Sequence, residues 1–205
     1  MGICPQPIPG IRYQVADTVD LTHQAATLEF QVFSTVGYTG KGPHIVEFAP
    51  YPCIFYVAVN EAGEVVGAVR VIVPSPRGFY TTKMTLFDGW REKAFQIERE
   101  GRVLSLPMSA IRRDFRAVES FSCILNLYRL IYQDSVRRRD RWWFAPIDVQ
   151  VFPHYSSTFH FDFVQIGPEQ DCLGAPTVPA VLELKPAFKH LECEDPDLAE
   201  FFRSG

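Results

Sequence analysis

Two apolar segments joined by a short turn constrain the fold of this chain more than any other feature. Residues 53–60 and 64–73 are rich in β-branched and aromatic side chains, and Asn60-Glu61-Ala62-Gly63 forms the junction between them. This pattern predicts a β-hairpin with a short turn that contains glycine. Pro74 and Pro76 follow and end the second strand, since proline cannot donate a ladder hydrogen bond.

The rest of the chain alternates strand and helix patterns. Strands are predicted over residues 11–16, 103–111, 142–151, 164–166 and 178–185, and helices over 21–36, 118–137 and 197–202. Asp20 is the expected cap of the first helix, and Asp195 begins the last. Residues 77–101 are amphipathic but fit neither pattern clearly. Hairpins alternating with helices predict an α/β (α+β) fold with a mixed, mostly antiparallel central sheet and helices on both faces.

Length and composition exclude several classes of protein. The chain has 205 residues, 47% of them hydrophobic and 21% charged. We expect a single globular domain over 1–205, with 1–10 as an irregular lead-in. Because it shows no apolar run of about 20 residues and no secretory signal, we expect a cytoplasmic protein without a membrane span. The net charge of −4 argues against nucleic acid as a partner. The five cysteines contain no CxxC pair, which argues against a zinc ribbon or a disulfide framework.

Two segments contain residues typical of a phosphate-binding loop or a metal site, but neither matches the pattern that such a site requires. Gly37–Gly42 is rich in glycine, but it follows a helix and lacks the Ser or Thr of a phosphate-binding loop. His154 and His160 lie six residues apart near Asp148 and Asp162, which is the wrong spacing for two metal ligands on one helix face. We therefore expect no metal site.

Two further features leave alternatives open. Residues 137–141 hold four arginines, which are either cations that stabilise a helix C-terminus or a patch for an acidic partner. Residues 77–101 carry many aromatic side chains, which cover either the sheet or a long apolar ligand in a tunnel.

Three segments resemble the N-acyltransferase branch that includes N-acyl amino acid synthases and acyl-homoserine lactone synthases. Residues 28–38, with Phe33 and Tyr38, are similar to the first helix of that family and its aromatic end. Residues 64–70 are similar to its "evvGxxR" strand, and residues 108–116 to its central strand and exit turn. The resemblance covers roughly residues 11–166 and implies a fold related to the GNAT acetyltransferases.

Departures from the family pattern indicate the acyl donor. Glu119 and Phe121 occupy the two small positions that acetyl-CoA enzymes use to hold pyrophosphate at a helix N-terminus. The resemblance therefore implies no permanent cofactor, and favours an acyl-phosphopantetheine thioester on acyl carrier protein over acyl-CoA. Arg112, Arg113 and Arg116, together with residues 137–141, are the expected contacts for that acidic carrier.

Other departures concern the chemistry. Ser105 replaces a family glutamate, and Glu29 replaces a family arginine, so an N-acyl amino acid synthase is favoured over a homoserine-lactone synthase. The acyl thioester is expected where strand 103–111 parts from strand 142–151. Main-chain N–H groups near Ala110 and Ile111 would stabilise the oxyanion there.

The remaining expected site residues serve the acceptor. Arg70 would pair with the carboxylate of a small amine acceptor such as an amino acid, and Glu98 or Glu100 would act as the base. Phe33, Tyr38, Ser105 and Ser109 are the expected substrate contacts. Two alternatives remain: a non-catalytic module that binds an acyl chain or its carrier, and an acetyl-CoA-dependent N-acetyltransferase.

Overall fold

A computed structural model describes residues 5, 7–35, 51–74, 91–115, 119–172 and 174–204. Within these ranges the strands are β1 (Arg12–Val15), β2 (Cys53–Val59), β3 (Val65–Ile72), β4 (Arg102–Ile111), β5 (Asp140–Asp148), β6 (Val164–Gln165), β7 (Gln170–Cys172) and β8 (Ala175–Glu183). The helices are α1 (Val19–Thr35), α2 (Arg91–Glu100), α3 (Glu119–Arg138), α4 (Phe152–Phe159), α5 (Leu184–Glu194) and α6 (Pro196–Arg203). A 3-10 turn spans Arg113–Phe115.

The strands form one mixed sheet in the order β1-β2-β3-β4-β5-β8-β6, and β7 also pairs with β8. Every described pairing is antiparallel except that of β4 with β5. The predicted hairpin is confirmed as β2 and β3, which pair from Cys53 with Ile72 to Val59 with Val65. The predicted fold class is therefore correct.

Helices cover both faces of this sheet. On one face, called the α1 face below, α1 packs through Ala25 and Leu28, and α2 packs through Ala94 and Ile97. On the other face, called the α3 face, α3, α5 and α6 enclose the largest core. That core contains Leu125, Tyr128, Trp143, Phe161, Phe188 and Phe202 among its buried residues.

Several local predictions need correction. Helix α1 begins at Val19, and its cap is the Thr18 hydroxyl, which accepts a hydrogen bond from Leu21 N at 3.2 Å, instead of Asp20. Asp195 does cap α6, by accepting from Leu198 N at 3.0 Å. Helices α4 and α5 and strand β7 were not predicted. Of the ambiguous segment 77–101, residues 91–100 form α2, and residues 77–90 lie outside the described part, as do residues 37–42.

Gly67 on β3 provides a direct test of this packing. A β-carbon added at Gly67 would lie 2.9 Å from Cys123 Sγ on α3 and 3.0 Å from Ile111 Cδ1 on β4. We expect Gly67→Ala to lower the free energy of unfolding by about 1–3 kcal/mol, because both neighbours are held by the core. Urea denaturation measures this loss. The same substitution in a Cys123→Ala background should cost less, and an equal cost in both backgrounds would contradict the packing described.

Candidate active site

A gap opens in the centre of the sheet between β4 and β5. The two strands pair only from Arg102 with Asp140 to Ser105 with Phe144. Beyond these pairs, β4 stays with β3 as far as Ile111, and β5 stays with β8. The expected parting of these two strands is therefore confirmed, and it begins at Ser105.

A proline on β5 explains why the parallel ladder stops. Val149 N donates to Pro176 O of β8 at 3.0 Å, so the odd-numbered peptide nitrogens of this strand face β8. The next β5 nitrogen that faces β4 after Phe144 therefore belongs to Pro146. Proline has no N–H, so it cannot make the hydrogen bond that would extend the pairing.

A β-bulge on β4 also marks the end of the pairing between β4 and β5. Ser105 pairs with Ile72 and Met108 pairs with Arg70, so three steps along β4 match two along β3. Pro107 lies within this bulge, which is one of the few places where a sheet tolerates proline. Bulges bend the strand that carries them, and this one lies directly after the last residue of β4 that pairs with β5.

The register also shows which main-chain groups face the gap. Arg112 N donates to Val66 O of β3 at 2.8 Å. Because peptide groups alternate sides along a strand, Ala110 N–H also points to β3, whereas the N–H groups of Ser109 and Ile111 point toward the gap. Of the two positions expected to supply the oxyanion contact, Ile111 therefore has its N–H toward the gap and Ala110 does not, while the Ser109 N–H lies on the same side as that of Ile111.

A chain of three hydroxyl groups leads from Ser109 into the α3 face. Ser109 Oγ lies 3.3 Å from Tyr128 Oη, and Tyr128 Oη lies 2.8 Å from Tyr155 Oη on α4. Tyr128 is buried, while Ser109 and Tyr155 are partly exposed. Burial raises the pKa of Tyr128 and raises the pKa of Tyr155 well above its ordinary value. Both tyrosines therefore keep their protons near neutral pH and can act as hydrogen-bond donors.

Ser105, which the resemblance aligns with a glutamate of the acyl-homoserine lactone synthases, is fully buried at the point where the strands part. Its hydroxyl has no hydrogen-bond partner in the described part of the chain. Most buried polar groups are satisfied, so this hydroxyl is a candidate contact for a ligand.

Arg70 has a different partner from the one expected. Its guanidinium donates to both carboxylate oxygens of Glu29, at 2.8 and 2.9 Å, and lies 4.7 Å from the centre of the Phe55 ring. Arg70 and Glu29 are each only 3% exposed. The expected pairing of Arg70 with an acceptor carboxylate would have to compete with this buried ion pair. Glu29, which departs from the pattern of the resemblance, is the residue that neutralises Arg70.

The two expected bases lie at the wrong end of β4. Glu98 and Glu100 end α2, and Glu100 contacts Arg141 at the start of β5. Ala110 is eight residues beyond the start of β4, or about 25 Å along an extended strand. The structure therefore does not bring Glu98 or Glu100 together with the gap.

The arginines expected to contact the acyl carrier protein do not lie together in the structure. Arg112 and Arg113 follow β4 at the open end of the gap, and Arg116 lies outside the described residues. Arg112 is paired with Glu64 at 3.0 Å and Asp114 at 2.8 Å. Arg113 is exposed, and in the described ranges no carboxylate lies within salt-bridge distance of it.

Residues 137–141 lie at the far end of α3, which is about 30 Å long. Arg137 pairs with Asp134, Arg138 with Asp140, and Arg141 with Glu183. Most of this cluster therefore stabilises the fold locally, and it cannot share one carrier surface with Arg112 and Arg113.

The other predicted contacts are less informative. Phe33 is partly buried and packs against the core of the α1 face, and Tyr38 lies outside the described residues. The contact between the Tyr128 and Tyr155 hydroxyl groups is not predicted from the sequence, because Tyr128 fits the apolar stripe of a buried helix and α4 has no strong pattern of its own.

In the described ranges no three His, Cys, Asp or Glu side chains come close enough to hold a metal ion. None of the helices described is long and apolar enough to cross a membrane.

Comparisons with known proteins identify the fold. No protein-family profile and no curated protein sequence matches the chain. Among solved structures, FeeM, an N-acyl amino acid synthase from uncultured soil microbes, aligns with a TM-score of 0.71 at 14% identity, covering 87% of this chain and 93% of that one. A putative N-acetyltransferase from Lactobacillus plantarum aligns at 0.58 and 12% identity, covering 85% and 99%. The AHL synthase LasI aligns at 0.55 and 12% identity, covering 85% and 89%.

These alignments span most of each chain. Because the sequence identity is low, they show a shared fold and nothing more specific. The alignments therefore show that the chain shares its overall architecture with these three structures. The chain therefore has a GNAT-like fold.

Proposed function

We propose that this protein is an N-acyltransferase that moves an acyl group from a thioester to the amine of an amino acid or a similar small acceptor. The observation that carries this proposal is the gap between β4 and β5, where one residue, Ser109, presents both a main-chain N–H and a hydroxyl linked to Tyr128. The likeness to the synthase FeeM supports it.

The gap accounts for two requirements of acyl transfer. When the amine attacks, a C–N bond forms, the carbonyl oxygen gains negative charge, and the C–S bond then breaks. The Ser109 N–H, aimed into the gap, would stabilise the oxygen. The departing thiolate needs a proton, which Ser109 Oγ would donate while Tyr128 and then Tyr155 replace it, and water at the partly exposed Tyr155 would restore the last proton.

The helix after the gap favours a donor without the nucleotide of CoA. Phe121 lies in the first turn of α3 and stacks on Phe159 of α4, with ring centres 5.4 Å apart. An aromatic side chain fixed there takes the space that a glycine would leave for pyrophosphate. We therefore propose that the acyl group, a long chain, arrives on the phosphopantetheine arm of acyl carrier protein. The protein would act in the cytoplasm.

Arg113 tests the carrier directly. Because surface ion pairs contribute about 0.2–1 kcal/mol, we expect Arg113→Ala to raise the KM for acyl carrier protein about two- to fivefold with little change in kcat. A truncated acyl-pantetheine donor should show no change. Arg137→Ala, at the far end of α3, is the matched control and should leave both donors unaffected. Equal effects of the two substitutions would contradict this docking surface.

The second candidate is an acetyl-CoA-dependent N-acetyltransferase, which the likeness to the putative N-acetyltransferase favours. A third is a module that binds an acyl chain without turnover. Mass spectrometry distinguishes all three when the purified protein is incubated with mixed amino acids and one donor at a time. The donors are acetyl-CoA, palmitoyl-CoA and palmitoyl acyl carrier protein.

We expect N-palmitoyl amino acids, formed fastest from the carrier protein. N-acetyl products from acetyl-CoA alone would support the second candidate. Retention of palmitate on the protein without any product would support the third and contradict the proposed enzyme. The amino acid consumed fastest would also name the acceptor.

A further inference from the structure

The reaction proposed above needs a group that accepts a proton from the attacking amine, and Ser105 stands at the position that the resemblance aligns with a glutamate. Two carboxylates near the open end of the gap are engaged elsewhere. Asp114 receives a hydrogen bond from Arg112, which lowers the pKa of that carboxyl. Hydrogen bonds from Asn60 and Arg112 lower the pKa of Glu64. A lowered pKa makes each of them a weaker base.

Asp148 occupies a better position, at the end of β5. Side chains alternate faces along a strand. Trp143, Ala145 and Ile147 belong to the core of the α3 face, whereas Phe144 packs with α2 on the opposite face. Asp148 therefore shares the α1 face with Phe144.

The sheet register also places Asp148 beside the gap. Ser105 of β4 is opposite Phe144 of β5 in the last parallel pair. Four further residues along each strand lead to Ser109 on one side and Asp148 on the other. The strands part between these positions, so the Ser109 N–H and Asp148 flank the same opening.

The local contacts of Asp148 suit a proton acceptor. One carboxylate oxygen, Oδ1, accepts a hydrogen bond from Gln150 N at 2.7 Å, which fixes the orientation of the side chain. An ionised carboxylate has about four lone-pair sites, so it can accept more than one hydrogen bond. Asp148 is partly exposed, so an acceptor can approach it from solvent.

We propose that Asp148 is the general base of this enzyme and that the acceptor amine binds on the α1 face of the gap. This inference rests on the proposed function. The amine nitrogen forms a bond to the thioester carbon, its proton passes to Asp148, and the C–S bond breaks. The thiolate takes its proton from the opposite face, through Ser109. The base and the acid thus lie on different faces of the sheet.

The test compares Asp148→Asn and Asp148→Ser with the wild type in the mass-spectrometric assay. Both substitutions keep an acceptor atom for Gln150 N, so the turn is retained. We expect kcat to fall about 100- to 1000-fold with an amino acid acceptor. Binding of a non-reactive thioether analogue of the donor, measured by calorimetry, should stay unchanged. Asp197→Asn, an exposed carboxylate on α6, is the control and should retain full activity.

A change of acceptor sharpens the test. Hydroxylamine is largely neutral at pH 7.5, so it depends less on a base, and the loss for Asp148→Asn should be smaller with it than with an amino acid. Unchanged kcat in both folded variants, or an equal loss with both acceptors, would overturn the role of Asp148 while leaving the proposed function standing. Absence of product from the wild type would instead overturn the proposed function.

Discussion

Replacement of Tyr128 by phenylalanine is expected to lower kcat about 100-fold while changing the KM for the acyl donor little. Tyr128 is the middle member of the hydroxyl chain, within 3.3 Å of Ser109 and 2.8 Å of Tyr155. Phenylalanine keeps the ring in the core but interrupts proton delivery, and loss of a general acid commonly costs 10²–10⁴-fold in rate. Single-turnover kinetics with a saturating donor measures this loss.

The leaving group distinguishes proton delivery from a structural effect. An aryl thioester releases a thiolate of low pKa that needs no proton, so Tyr128→Phe should transfer its acyl group almost as fast as the wild type. An equal loss with the alkyl and aryl donors would show that the substitution disturbs the site in another way. Tyr132→Phe, four residues along the same helix, is the control, because the Tyr132 ring stacks on Phe188 of α5 and is not part of the hydroxyl chain.

Replacement of Glu29 by alanine is expected to lower the free energy of unfolding by about 3–5 kcal/mol. Arg70 would then remain in the core of the α1 face without its carboxylate, and removal of one partner from a buried ion pair leaves an uncompensated charge. The double variant Glu29→Leu with Arg70→Met should recover much of that loss, since it removes both charges. Chemical denaturation of the single and double variants checks both expectations. A loss below 1 kcal/mol for Glu29→Ala would contradict the buried pair.

The ion pair of Glu29 and Arg70 should also make the free energy of unfolding depend on pH. Burial raises the pKa of Glu29 above its ordinary value, although Arg70 acts to lower it. The folded state therefore holds this proton more tightly than the unfolded state does. The contribution of this group to stability is fully present below the unfolded pKa and declines as the pH rises through the folded pKa. The Glu29→Gln variant should lack this part of the pH dependence.

Much of the architecture follows from local patterns. The hairpin of β2 and β3, the apolar faces of α1 and α3 and the capped start of α6 are each encoded within one short segment, which is why they are predictable. The spacing of Leu184, Phe188 and Leu191 is typical of a helix, but the first turn of α5 falls within the predicted strand 178–185. Helix α4 is short and has no buried residue of its own, so its pattern is weak.

The site itself depends on contacts between distant segments. Glu29 and Arg70 are 41 residues apart, and Tyr128 and Tyr155 are 27 apart. Sequence indicated that Glu29 departs from the family pattern but not which residue it neutralises. It also indicated a cluster of arginines at residues 137–141, whose carboxylate partners only the fold brings into contact.

The sequence by itself determined most of the secondary structure and the fold class, and it places Pro146 where its missing N–H ends the pairing of β4 with β5. Periodicity and proline act within one strand or helix, so they need no knowledge of the neighbours. Only the tertiary structure decided which side chains line the gap between β4 and β5. The register between strands and the faces that helices cover result from the packing of the whole core, and a one-residue shift would move every side chain to the other face.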